Sequence, residues 1–111
     1  MNEKDDFVYI KHMMDAIGAV EEYTRDIRRE DFLKDRKTQD AVIRELSIIG
    51  EATSLISESF KMKHKEMPWT EMKGMRNRVI HGYFSIDLNT IWEVVTNDLP
   101  RLKGGLELLV K

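Results

Sequence analysis

At 111 residues, with 41% hydrophobic and 34% charged side chains, the chain has the size and composition of one soluble domain, too apolar for a disordered polymer and too charged for a membrane one. The absence of cysteine excludes a disulfide scaffold, a thiol nucleophile and any Cys-ligated zinc or iron–sulfur site. No apolar run approaches the roughly 18 residues of a membrane span, and MNEKDDFVYI is acidic where a signal peptide is basic, so a cytoplasmic protein is expected.

The net charge of −2 is unevenly spread. Residues 61–83 carry Lys61, Lys63, Lys65, Lys73, Arg76 and Arg78 against only Glu66 and Glu71, while the remainder is acidic. A basic segment on an acidic body points to a local anion site rather than a general nucleic-acid coat; the plainer alternative is a solvated loop and helix face.

Four stretches have helical period. The first spans about Asp5 to Arg28, with Phe7, Ile10, Met14, Ile17, Val20, Tyr23 and Ile27 on its apolar stripe. Asp5 and Asp6 suit its positive end, and Arg25, Arg28 and Arg29 its negative end. After a charged connection anchored by Phe32 and Leu33, a second helix spans about Thr38 to Phe60, capped by Thr38 and striped by Val42, Leu46, Ile49, Ala52, Ile56 and Phe60. KMKHKEM interrupts the pattern. Pro68 then opens a third helix, where its missing N–H costs nothing. Trp69, Met72, Met75 and Val79 face inward, and Gly82 is the stop. A fourth helix, capped by Asp87 or Asn89, carries Leu88, Trp92, Val95, Leu99, Leu102, Leu106 and Leu109. Pro100 is expected to kink it. VIHGYFSI is the most β-like run, yet it lies between helical patterns and is not assigned a strand. The expected fold is all-α: one domain over residues 1–111, an antiparallel bundle of four main helices with room for a fifth short one.

Phosphate-loop, zinc-protease and nucleophile-elbow motifs are absent. The spacing of His12, His64 and His81 describes no metal site, and no cofactor is implied. His12 and His64 read as non-catalytic, and the seven Met, Trp69 and Trp92 as core or interface.

Arg76-Asn77-Arg78-Val79-Ile80-His81-Gly82-Tyr83 concentrates chemistry. Arginine holds phosphate bidentately at any relevant pH, and histidine can take and return a proton near neutrality. The set suits metal-free cleavage of an RNA phosphodiester by the adjacent 2′-OH, with arginine stabilising the developing charge. On an ideal helix Asn77 and Arg78 share a face with His81, while Arg76 lies about 140° from it. Arg76 would then meet His81 by a loosened helix end or across a two-fold interface. The alternative is structural: both arginines in salt bridges, His81 bonded near the helix end, Tyr83 packed. Glu51, beside the second helix's apolar stripe, reads either as orienting His81 or Arg76, or as an ordinary helix-face acid, and is not counted with the site.

RNRVIHGY has the R-x4-H-x-Y form of the HEPN superfamily, and with RELSIIGEA, PWTEMKGMRNRVIHGYF and DLNTIWEVVTNDLPRL the whole chain resembles its HepT-like branch. That resemblance implies a HEPN-like helical bundle acting as a metal-independent RNase toxin of a type VII toxin–antitoxin module. It implies a homodimer with the motif at the subunit cleft. It also implies an MntA-like nucleotidyltransferase antitoxin that transfers AMP to the motif tyrosine. Arg76 and His81 would be catalytic, Asn77 and Arg78 supporting phosphate-binding residues, and Tyr83 the modified residue. The alternative function is a non-catalytic nucleotide- or partner-binding subunit of a nucleotidyltransferase complex, and behind it a plain helical dimerisation domain.

Overall fold

Eight helices and one pair of very short strands make up the computed structural model, which describes residues 3–81 and 85–111. The helices are α1 (Glu3–Tyr23), α2 (Arg29–Phe32), α3 (Arg36–Leu55), α4 (Glu58–Lys63), α5 (Trp69–Lys73), α6 (Met75–Val79), α7 (Leu88–Glu93) and α8 (Leu99–Leu109). A π-helical turn, Val94–Asp98, joins the last two. The all-α expectation holds. Antiparallel α1 and α3 pack along their lengths; α5, α6 and α7 cover α3, and α8 lies against α1. The shortest extent, 19 Å, is about two helix diameters, so the molecule is two layers deep.

Asp6, almost fully buried, is the polar clamp of the core. Its carboxylate accepts from the Ser57 backbone N–H at 2.8 Å and from the Ser57 hydroxyl at 2.7 Å, while the same hydroxyl oxygen accepts from the Phe60 N–H. Ser57 thereby caps α4, and the start of α1 is fixed to the α3–α4 junction. The apolar stripes read for α3 and for the Trp69–Val79 segment are all buried.

Local details depart from the sequence reading for identifiable reasons. Helix α1 ends at Tyr23, with Thr24 returning its hydroxyl to the Val20 carbonyl and Asp26 in a left-handed conformation, so Arg25, Arg28 and Arg29 lie beyond its last turn. Met13, rather than Met14, is fully buried. The α3 cap is Asp35, whose side chain accepts from the Thr38 N–H and hydroxyl; Thr38 is the residue capped. The expected second helix breaks at Ile56, which is extended, and the third breaks at Gly74. Ile80–His81 and Ser85–Ile86 do form strands, pairing Ile80 with Ile86 and His81 with Ser85; the β-branched isoleucines favour extended backbone. Gly82, the expected helix stop, lies outside the described residues, and α6 ends before it at Val79.

Pro100 does not end the fourth helix. The Leu99 N–H bonds to the Val94 carbonyl, five residues back, so the run widens into a π turn immediately before the proline, whose ring and missing N–H do not suit a regular α-helical interior. The added residue changes the phase of the buried stripe. Ile91 and Val94 are buried before it and Leu99, Leu102 and Leu106 after it, while Trp92 and Val95 are only half-buried.

Gly50 sets the spacing between the layers. A Cβ there would stand 2.9 Å from the Lys73 carbonyl oxygen, a backbone atom that cannot step aside. Gly50→Ala should lower stability by about 1–3 kcal/mol through overpacking. Gly18→Ala, which meets nothing within 4 Å, should raise it by up to about 1 kcal/mol through helix propensity. Urea denaturation of both variants checks this pair; equal effects would show that the close approach does not constrain the fold.

Candidate functional site

The approach of α3 to α5 at Gly50 places α6 beside α3. Two residues apart on a helix means about 200° of rotation, so Arg76 and Arg78 leave α6 on opposite sides. Arg76 and Asn77 line a groove of about 300 Å³ with Ser47, Glu51, Ser54 and Lys73. The Arg76 Nη1 donates to the Asn77 Oδ1 at 3.5 Å. Among the described residues no carboxylate pairs with Arg76, so its charge is available to an incoming anion. Arg78 instead forms an ion pair with Asp98 of the π-helical turn. Of the two arginines, one is occupied and one is not.

His81 is extended and exposed on the first strand, and the shared helix face read for Asn77, Arg78 and His81 does not form. The helix has already ended at Val79, and the Asp87 N–H closes on the Val79 carbonyl at 2.7 Å. That closure brings the Asp87 Oδ2 to 3.9 Å from the His81 Nε2, an electrostatic contact too long for a hydrogen bond. Asp87 also caps α7, accepting from the Thr90 N–H at 3.0 Å. The Thr90 hydrogen bonds first, and the His81 charge after them, hold its carboxyl below the usual aspartate range. Tyr83 lies outside the described residues.

Two carboxylates adjoin the site residues, and only Glu51 was weighed for such a place in the sequence. Asp87 was legible as a cap but not as the partner of His81, because that pairing depends on the strand turn. Glu51 shares the groove of Arg76, and the signal was there: Ser47, Glu51 and Ser54 recur at helical spacing on one face of α3. His64 has a structural place. Its carbonyl accepts from the Trp69 indole at 2.9 Å, and its ring lies 4.5 Å from that of Phe60. Among the described residues no group of three or more His, Cys, Asp or Glu could hold a metal ion, and no helix is long and apolar enough to cross a membrane.

The family model described as ribonuclease HepT-like matches residues 13–109. The chain belongs to the HepT-like family. It is 50% identical over 103 residues to a Thermococcus cleftensis protein named probable ribonuclease HepT, covering 93% of this chain and 94% of that one. A Methanocaldococcus jannaschii protein named as a candidate RNase is 37% identical over 109 residues, 98% of this chain and all of the other. A second protein of that organism, whose name joins a gamma-glutamylcyclotransferase to a candidate RNase, is 43% identical over 90% of this chain, which spans only 45% of its length. No solved structure matches the chain. In this chain Arg76 of the R-x4-H pattern stands at a groove with no carboxylate paired to it among the described residues, and His81 is exposed on a strand.

The low carboxyl pKa of Asp87 makes the fold depend on pH in a defined direction. A carboxyl whose folded pKa is depressed stabilises the fold above its unfolded pKa, about 3.9, and loses that contribution as pH falls through the folded value. Asp87→Asn keeps a capping side chain without a titrating group. Its thermal midpoint should therefore fall less between pH 7 and about pH 3 than that of the parent. Parallel curves would show that Asp87 does not couple to the fold in this way.

Proposed function

We propose that the protein is a metal-independent endoribonuclease, the toxin of a toxin–antitoxin pair. The observation that carries the reading is the difference between the two motif arginines. Arg78 is paired with Asp98, whereas Arg76 is exposed at a groove without a carboxylate partner, on the segment that also carries His81. A structural role for the motif would consume both charges.

In this reading RNA phosphate docks on Arg76, with Asn77 supporting it. His81 accepts the proton of the ribose 2′-OH, and the 2′-oxygen attacks the adjacent phosphorus. The bond to the 5′-oxygen breaks, and that oxygen takes up a proton from the His81 imidazolium or from water. The products are a 2′,3′-cyclic phosphate and a 5′-hydroxyl. Arg76 stabilises the charge that builds on the non-bridging oxygens, and the Asp87 carboxylate lies 3.9 Å from the His81 Nε2, beside the proton carrier. Arg78, bound to Asp98, holds α6 in place. Lys61 and Lys65 add attraction for the RNA backbone that salt weakens. A homodimer would bring two copies of the motif to one cleft and double its charge.

The same site suits silencing by an MntA-like nucleotidyltransferase antitoxin. AMP transferred to the Tyr83 hydroxyl adds bulk and a negative charge two residues from His81, where it would neutralise the Arg76 site and repel RNA.

Purified unmodified protein, its intact mass confirming the absence of AMP, should cleave total RNA in EDTA. His81→Ala and Arg76→Ala should each lose about 10²-fold or more of that activity, the usual scale for a proton carrier or a charge stabiliser. Equal activity of parent and variants would remove these residues from the chemistry. Inactivity of all three, with antitoxin still bound, would instead favour the non-catalytic binding subunit. Protein stoichiometrically modified with AMP at Tyr83 should neither bind nor cleave RNA; normal cleavage by that sample would overturn the silencing mechanism.

A further inference from the structure

On the side of α6 away from Arg76, a pocket of about 310 Å³ opens between α5, α6 and α8. Its floor is apolar: Met72, Met75 and Leu102 are all at least nine-tenths buried. Its wall is the Arg78–Asp98 ion pair. Glu71 and Arg101 stand at its rim, both exposed, and among the described residues neither has a charged partner. An apolar floor ringed by a few polar groups is the usual build of a small-molecule or nucleobase site, and the volume is at the small end of that class.

The composition narrows the ligand. A carboxylate can accept two hydrogen bonds side by side. Guanine alone presents two adjacent N–H donors, N1–H and the N2 amino group, on its Watson–Crick edge. Adenine and cytosine place one amino group next to an acceptor, and uracil places one N–H between two acceptors. Guanine also offers O6 and N7 to a guanidinium, the commonest specific arginine contact to a base. Unstacked bases of single-stranded RNA are read in this way, by stacking and by these edges.

We infer that this pocket is a nucleobase subsite that reads a guanine of the bound RNA, with Glu71 accepting from the Watson–Crick edge and Arg101 donating to O6 and N7. For its RNA the inference rests on the ribonuclease reading. Arg78 walls the pocket, while Arg76 leaves α6 on the opposite side, so base selection and phosphate docking use separate faces of that helix.

Binding can be tested without turnover. Titration of the unmodified protein with GMP, AMP, CMP and UMP at one fixed salt concentration, by calorimetry or NMR, should give the tightest binding for GMP. Glu71→Gln, which keeps shape and loses a carboxylate oxygen, should reduce the preference for GMP over AMP by about tenfold, the scale of one bidentate base contact. Arg101→Ala should reduce GMP affinity. Arg76→Ala, on the opposite side of α6, should leave the GMP preference intact. Both rim residues are exposed, so unchanged melting temperatures are expected of their variants. No measurable binding, equal affinity for the four, or a GMP preference untouched by Glu71→Gln each overturns the subsite. RNA cleavage without guanine preference would sink the subsite and leave the nuclease standing; GMP selection through Glu71 by a protein that cleaves nothing would do the reverse.

Discussion

The site depends on one close approach. At Gly50 the backbone of α3 comes so near the Lys73 carbonyl that a Cβ would lie 2.9 Å from it. That contact fixes the end of α5, and Gly74 then turns the chain directly into α6. Because α6 is only five residues long, its position decides where both motif arginines go. A bulkier residue at position 50 would push α5 outward and carry α6 with it, since interiors packed to crystal-like density transmit strain rather than absorb it.

The placement of α6 divides the motif's charge between two jobs. Arg78 is spent on Asp98, tying α6 to the π-helical turn in the middle of the C-terminal helical run. Arg76 faces the groove beside α3, and among the described residues no carboxylate pairs with it. The π turn serves two purposes here. It lets Pro100 sit inside the helical run, and it brings Asp98 onto the α6 side. His81, two residues past the end of α6, leaves the helix and gains Asp87 as its neighbour. The same aspartate caps α7, so the start of that helix and the electrostatics of the histidine are set by one carboxylate.

Much of this was legible in the residues. The stripe from Val42 to Phe60 and that from Trp69 to Val79 are buried as their spacing required, even though each segment is broken, because a break that preserves phase does not move the apolar face. Asp87 read correctly as a cap. What escaped were features in which two local solutions use the same residue types. Asp35 and Thr38 are both good caps, and only the chain path chooses between them. A π turn adds one residue to a helix without any compositional mark, so the stripe through Trp92 and Val95 was one position out of phase. Ile80 and Ile86 form a strand pair too short to show alternation, and that pair, rather than a continued helix, places His81. The motif residues were therefore identifiable from the sequence, whereas the separate occupations of Arg76 and Arg78 required the tertiary position of Asp98.

In the proposed reaction the substrate's own 2′-oxygen attacks, with charge supplied by Arg76 and proton transfer by His81. That claim has a chemical signature in the product. Fragments made by the unmodified protein in EDTA should end in a 2′,3′-cyclic phosphate and begin with a 5′-hydroxyl, as end-group analysis by mass spectrometry would show. Fragments bearing 3′-hydroxyl and 5′-phosphate ends, formed only when a divalent metal is added, would contradict it.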